Sequence, residues 1–174
     1  LEVYQLFQKD GGQLDREGRY NLGLSYFYTE QWKEAAESLA KATDKDDSLS
    51  QTAYYFLASA LMEMNQKKLA LDALRMVHAL DFDDQLSQEA LFNFAKLSFE
   101  LGYNPYNEAV GALERYLELY PNALYKEEAR KLMVEIHVSA KNYRLAIEAL
   151  EKMDRLSPEL SRAFQRVLYF RAAE

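Results

Sequence analysis

Residues 18–42, GRYNLGLSYFYTEQWKEAAESLAKA, read as two helices joined by a short turn, and most of the chain repeats them. Helical spacing sorts the first helix into two apolar faces, with Leu22, Gly23 and Tyr26 on one and Tyr20, Leu24, Phe27 and Tyr28 on the other. Two apolar faces require two packing partners. After Thr29-Glu30-Gln31 a second helix begins at Trp32, and its stripe of Ala35, Leu39 and Ala42 is placed to lie against the first. Gly23 and Ala35 are small where the helices cross, which permits close antiparallel packing.

The register recurs along the chain. Leu57, Ala58, Leu61, Ala70, Leu74 and Val77 form a second copy; Phe94, Ala95, Ala109, Leu113 and Tyr116 form a third, ending at Pro121. Met133, Val134, His137, Ala146, Leu150, Met153 and Pro158 form a fourth. The alanine near the start of each second helix moves from Ala35 to Ala70, Ala109 and Ala146, steps of 35, 39 and 37, and the longest step contains the extended turn GYNPYN at residues 102–107. Six Gly and three Pro, with apolar residues three and four apart and no strand-like alternation, make the fold class all-α. Residues 1–9 gather Leu1, Val3, Tyr4, Leu6 and Phe7 within two turns and read as the end of a preceding helix, stopped by Asp10-Gly11-Gly12. Ser157-Pro158-Glu159 offers an N-cap, a proline for the first helical position and an early acid, and Asn122 is placed to cap after Pro121.

Composition narrows the function. At 174 residues, 49% hydrophobic, with 13 Tyr and 9 Phe, the chain has ample material for a core. Its 28 acidic and 21 basic residues give a net charge of −7, which opposes nucleic-acid phosphates and anionic membrane surfaces. No Cys is present, so disulfides, thiolate metal sites and a Cys nucleophile are excluded, while the redox compartment stays open. The longest apolar run, residues 54–62, falls well short of the roughly 18 needed to span a bilayer. The sequence starts without an initiator Met or a signal pattern, so any targeting segment is cleaved or lies outside it.

The residues that could carry chemistry read as structural. His78 and His137 are the only histidines, and neither sits in a catalytic or metal-binding spacing; His137 takes the register position of Tyr26 and Leu61 and reads as a packing residue. The acidic runs at residues 44–47 and 81–84 lack the Gly and closing Glu of a calcium loop, and both occupy the turn between copies, where Asp caps the next helix. Residues 126–131 and 151–155 read as solvated faces with side-chain pairing one turn apart. No Gly-rich phosphate loop occurs. The expectation is a chain without catalytic residues, cofactor or metal.

The pattern Leu22-Gly23-x-x-Tyr26 followed by Ala35-x-x-x-Leu39-x-x-Ala42 resembles the tetratricopeptide repeat, a helix-turn-helix unit of about 34 residues. Arg19, Tyr54, Leu91 and Arg130 stand where that family often has Trp. The resemblance implies a right-handed α-solenoid: residues 1–14 ending a preceding helix, residues 15–158 forming four repeats, and residues 159–174 a first helix of a further repeat or a capping helix. Nothing in the sequence covers Val167, Leu168 and Phe170, which implies a segment of a longer array or an end that docks on another subunit. Residues 116–125, YLELYPNALY, with Lys126-Glu127-Glu128-Ala129, are similar to the turns of bacterial envelope repeat proteins such as outer-membrane assembly lipoproteins and Tol-Pal coordinators, favouring a periplasmic or envelope location over a cytoplasmic one.

In that family the first helices line a concave groove. Carried over, the groove comprises Tyr20, Asn21, Leu24, Phe27 and Tyr28, then Tyr55, Phe56, Ser59 and Met62, then Phe92, Asn93, Lys96 and Phe99. In the fourth copy it turns to Glu128, Lys131, Leu132, Glu135 and Val138. Aromatic side chains with polar tips typically anchor protein partners, so the expected function is a non-catalytic scaffold binding a peptide or helix. The same positions could instead be buried between repeats, because periodicity does not separate the two. Tyr20 and Leu24 stand where repeats that clamp acidic C-termini carry Lys, Asn or Arg, which argues against that mode. The alternative function is a structural one, self-association or stacking through the end helices within an envelope assembly.

Overall fold

The computed structural model describes residues 1–9, 12–102, 105–153, 156 and 158–172. They form α1 (Glu2–Lys9), α2 (Arg16–Tyr28), α3 (Trp32–Ala40), α4 (Ser48–Glu63), α5 (Lys67–Leu80), α6 (Asp84–Leu101), α7 (Pro105–Leu119), α8 (Lys126–Ser139), α9 (Tyr143–Glu151) and α10 (Pro158–Ala172). No strand occurs among the described residues, so the class is all-α. The chain divides into two compact units, residues 1–93 and 94–174, with the boundary inside α6. Asp10 and Gly11 of the stop signal, Tyr103 and Asn104 of the long turn, Asp154 and Arg155 of the charged run and the Ser157 cap lie outside the described residues.

In the first unit α2 packs on α3, α3 on α4 and α4 on α5. Leu22, Ala35, Leu39 and Ala42 are buried together with Ala58, Leu61, Ala70, Leu74 and Val77. Burial of such side chains contributes about 1.5–3 kcal/mol for each large aliphatic one. Gly23 is required by proximity, since a Cβ there would lie 2.7 Å from Leu39 Cγ and 3.1 Å from its backbone nitrogen. In the second unit α7 packs on α8, α8 on α9 and α9 on α10. Ala109, Leu113 and Tyr116 are buried, as are Val134, Ala146 and Leu150, and Leu160 and Val167 of α10 close over the last pair.

The turn inside each helix pair has one recipe. Glu30, Asn65, Gly102 and Lys141 all take left-handed φ, between 57° and 67°. At three of these turns two hydrogen bonds close the helix end: Glu30 N–H to the Phe27 carbonyl and Gln31 N–H to Tyr26, Asn65 to Met62 and Gln66 to Leu61, Lys141 to Val138 and Asn142 to His137. This is the pattern that satisfies a helix's last carbonyls around a left-handed residue, a place that favours Gly. Gly fills it only at Gly102.

The turns between pairs are capped by aspartate. Asp47 accepts from Ser50 N–H at 2.9 Å and Asp83 from Leu86 N–H at 3.1 Å, while Asp15 caps α2 by accepting from Gly18 N–H at 2.8 Å. Asn122 does not cap: α8 starts at Lys126 behind Tyr125, which makes no side-chain cap bond, because two successive turns intervene after Pro121. Each interior joint of the first unit also carries a polar clasp. The Arg16 guanidinium donates to the Ala42 carbonyl at 2.9 Å, to both oxygens of Asp47 and to Ser50 Oγ, and it pairs with Asp44 at 2.8 Å. Gln51, fully buried, donates through Nε2 to the carbonyls of Val77 and Asp83 and to Ser87 Oγ, and its Oε1 accepts from Asp83 N–H at 2.7 Å. The hydrogen bonds from Arg16 and Ser50 hold the Asp47 carboxyl far below the ordinary carboxylate range, and Asp47 in turn raises the Arg16 value.

Candidate partner-binding face

The first unit assembles five rings contributed by α2, α3 and α4. Phe27 is the hub: its ring meets Phe56 at 5.1 Å, Trp32 at 5.3 Å and Tyr28 at 5.7 Å, each edge-to-face. Phe56 also meets Tyr55 at 5.8 Å and Tyr28 at 6.2 Å. Edge-to-face pairs of this kind are each worth about 0.5–1.5 kcal/mol beyond burial, so the rings form one contiguous platform. Helical spacing puts Phe27 and Tyr28 one turn beyond Leu24, and it puts Ser59 and Met62 one to two turns beyond Tyr55.

Exposure differs sharply across the platform. Tyr28 is 72% exposed and Met62 46%, whereas Tyr20, Leu24, Phe27, Tyr55, Phe56 and Ser59 are half-buried and Asn21 is exposed. Burial raises the Tyr20 hydroxyl above the ordinary tyrosine value, with the nearby Tyr28 hydroxyl acting in the same direction. At the far edge Tyr55 donates its hydroxyl to Glu89 at 2.7 Å, and Gln85 donates to the other oxygen of that carboxylate at 3.3 Å. Ser59 spends its hydroxyl on the Tyr55 carbonyl.

Phe92 departs from its expected place. It is 2% exposed and belongs to the core, because in α6 the position next to Leu91 faces packing rather than an open surface. Asn93 is half-buried. In the second unit Lys96 and Phe99 are half-buried, and Lys96 pairs with Glu128 at 3.0 Å, joining two positions that the sequence places on first helices. Lys131 and Glu135 are exposed, Leu132 and Val138 half-buried.

Three features escaped the sequence reading. Trp32 marks the start of α3 in sequence, yet its ring joins the platform through Phe27. Glu89 borders it through Tyr55. On the other side of the first unit, α3 and α5 flank an apolar groove of about 500 Å³ floored by Tyr54, Leu57 and Leu61, with Leu69 and Met76 exposed along it. The spacing of Leu69 and Met76, two turns apart on α5, is the signal that could have found it.

His137 is 4% exposed and lines a cavity of about 290 Å³ with Glu114, Arg130 and Glu148. Burial pushes its imidazole below the ordinary value, while Glu114 and Glu148 pull it back up. His78 is half-buried. Among the described residues no group of three or more His, Cys, Asp or Glu side chains could hold a metal ion, and no helix is long and apolar enough to cross a membrane.

Comparisons with known proteins agree on the architecture. The family model of the tetratricopeptide repeat matches residues 17–48 and 89–123. No curated protein sequence matches the chain. Among solved structures it is similar to MamA, with a TM-score of 0.64 and 21% identity over 99% of this chain and 86% of that one. It is similar to a Podosopora anserina kinesin light chain protein with nearly identical TPR-like repeats, with a TM-score of 0.63 and 16% identity over 93% of this chain and 91% of that one. The apo form of RapI gives a TM-score of 0.63 and 14% identity over 87% of this chain and 60% of that one. At these identities the likeness is one of fold.

Proposed function

We propose, from the premise that this chain is built of tetratricopeptide repeats, that it is a non-catalytic scaffold whose α2–α4 face docks a peptide or helix of a partner protein. Residues 15–158 then serve as four repeats, with residues 1–14 and 159–174 flanking them. The observation that carries the reading is Tyr28: its ring is fixed edge-on by Phe27 and Phe56 and is still 72% exposed. A large ring with only two side-chain torsions loses little entropy when a partner covers it, which is why Tyr is common among interface anchors. Met62 beside it supplies an adaptable apolar contact.

The test is a selection of displayed random peptides on the 174-residue chain, with the selected peptides then measured against Tyr28→Ala and Met62→Ala. Each substitution is expected to weaken binding about tenfold or more, as anchor truncations of 1–2 kcal/mol do. Peptides that ignore both substitutions and respond to Leu69→Ala or Met76→Ala instead would move the site to the groove between α3 and α5 and sink this reading.

A second reading, self-association, draws on Val3 and Leu6 of α1, which are exposed apolar side chains, and on Tyr169 and Phe170 of α10. Sedimentation velocity over a concentration series separates the two: a chain that remains monomeric at high concentration excludes the assembly role.

A further inference from the structure

We infer that the segment docking on the α2–α4 face carries basic side chains beside its apolar anchors; this rests on the reading of that face as the docking surface. The argument starts from where the charge lies. Residues 1–93 hold sixteen acidic and nine basic side chains, and residues 94–174 hold twelve of each, so the whole net charge of −7 belongs to the first unit. Within that unit the basic residues avoid the platform. Lys33 stands on α3, and Lys67, Lys68 and Arg75 stand on α5. α4 has no Lys or Arg at all. Of the two on α2, Arg16 is held by Asp44 and Asp47, and Arg19 lies one turn before Leu22 and Gly23 on the packed side.

The acidic residues do the opposite. Glu89 closes one edge of the platform, its carboxylate held by the neutral donors Tyr55 and Gln85, so its charge is positioned without being cancelled by them. Glu63 follows Phe56 by two turns on the same side of α4 and is exposed. Glu30, exposed in the turn two residues past Tyr28, completes the rim. Rings and carboxylates together suit one chemistry. Lys and Arg lay their aliphatic stems along apolar surface, their charged heads are attracted to aromatic faces, and a one-sign field around the site speeds the encounter of an oppositely charged segment. An acidic segment would meet the same rim with repulsion.

The experiment uses random twelve-residue peptides displayed on phage and selected on the intact chain, with enriched sequences resynthesised and measured by fluorescence anisotropy at about 0.05 M and about 0.5 M salt, Debye lengths of roughly 14 and 4 Å. The expected result is enrichment of Lys or Arg within a few residues of an aromatic or aliphatic side chain, with affinity falling about tenfold or more between the two salts. The double variant Glu30→Lys with Glu63→Lys, both exposed, is expected to weaken these peptides about tenfold at low salt and much less at high salt. Glu89→Gln, which keeps an acceptor for Tyr55, is expected to act in the same direction. Neutral or acidic peptides that still require Tyr28 and Met62, or basic ones indifferent to salt and to the lysine variants, would leave the face standing and overturn the charge inference. Basic peptides indifferent to Tyr28→Ala and Met62→Ala would overturn the face and the inference with it, as would a selection that enriches nothing.

Discussion

Arg16 and Gln51 perform the same task at successive joints of the first unit with different chemistry. Each reaches from the first turn of a first helix to a carbonyl at the end of the following second helix, to the capping aspartate of the next first helix and to a serine in its first turn. For Arg16 these are Ala42, Asp47 and Ser50, and for Gln51 they are Val77, Asp83 and Ser87. Arg16 is the first residue of α2 and Gln51 the fourth of α4, yet they lie 35 residues apart, the same step that separates Leu22 from Leu57 and Ala35 from Ala70, so the two side chains hold the same register position and reach equivalent targets.

Gln51→Leu keeps the volume and removes every bond, leaving the buried Val77 carbonyl and the partly buried Asp83 amide without this partner. With each stranded group costing about 1–3 kcal/mol, the expected loss is about 2–4 kcal/mol by urea denaturation. A loss below about 0.5 kcal/mol would mean that the clasp is incidental to stability.

The Arg16–Asp47 bond predicts acid sensitivity. A carboxyl whose folded value is depressed contributes stability that is complete above the unfolded value, about 4, and is lost as pH falls through the folded value. The urea midpoint is therefore expected to drop below about pH 4, and Asp47→Asn is expected to flatten that part of the curve while lowering the plateau at neutral pH. An unchanged acid limb in Asp47→Asn would refute the assignment.

His137 predicts a second and milder limb. Its folded value is lowered by burial, against the pull of Glu114 and Glu148, so the unfolded chain takes up the proton first. Stability is then complete above the ordinary histidine value near 6.5 and falls as pH drops below it, with the loss ending at the folded value. His137→Leu, matching Leu61 at the same register position, should remove the slope that begins below the ordinary histidine value. Proton NMR of the two imidazoles reads the same effect directly, with the His137 resonance titrating below the free value.

The left-handed turns predict stabilising substitutions. A side chain in that conformation costs about 1–2 kcal/mol relative to Gly, partly offset by the greater freedom of Gly in the unfolded chain, about 0.5–1 kcal/mol. Glu30→Gly and Lys141→Gly are each expected to gain about 0.5–1 kcal/mol in thermal or urea unfolding. Asn65→Gly should gain less, because Asn tolerates the conformation better. Destabilisation at Glu30 or Lys141 would show that those side chains make contacts outweighing the backbone strain.

What the sequence revealed divides along a physical line. The register of Leu22, Gly23, Ala35 and Leu39 was legible because helical period alone places them, and the roles of Asp47 and Asp83 were legible because capping is local. The clasps were not: Arg16 and Gln51 find their partners some thirty residues away, and a lone polar residue near a helix start reads as solvated until the next repeat covers it. Phe92 was assigned to an open face because a helix with apolar residues on several sides has no unique inner stripe. Asn122 failed as a cap because the length of the turn after Pro121 is set by packing. Of the platform, the rings of α2 and α4 were legible and Trp32 was not, since its contact with Phe27 crosses from one helix of the pair to the other.

The clasps also give the joints an address. The Arg16 socket offers two carboxylates, Asp44 and Asp47, to neutralise one cation, whereas the Gln51 socket presents backbone groups and a serine to a neutral amide. Were a folding chain to skip a repeat, Arg16 would meet the carbonyls of Val77 and Asp83 and the Ser87 hydroxyl that serve Gln51, and Asp44 and Asp47 would be left without the cation they hold. Two successive joints of the first unit thus use one register position with partners that differ in charge.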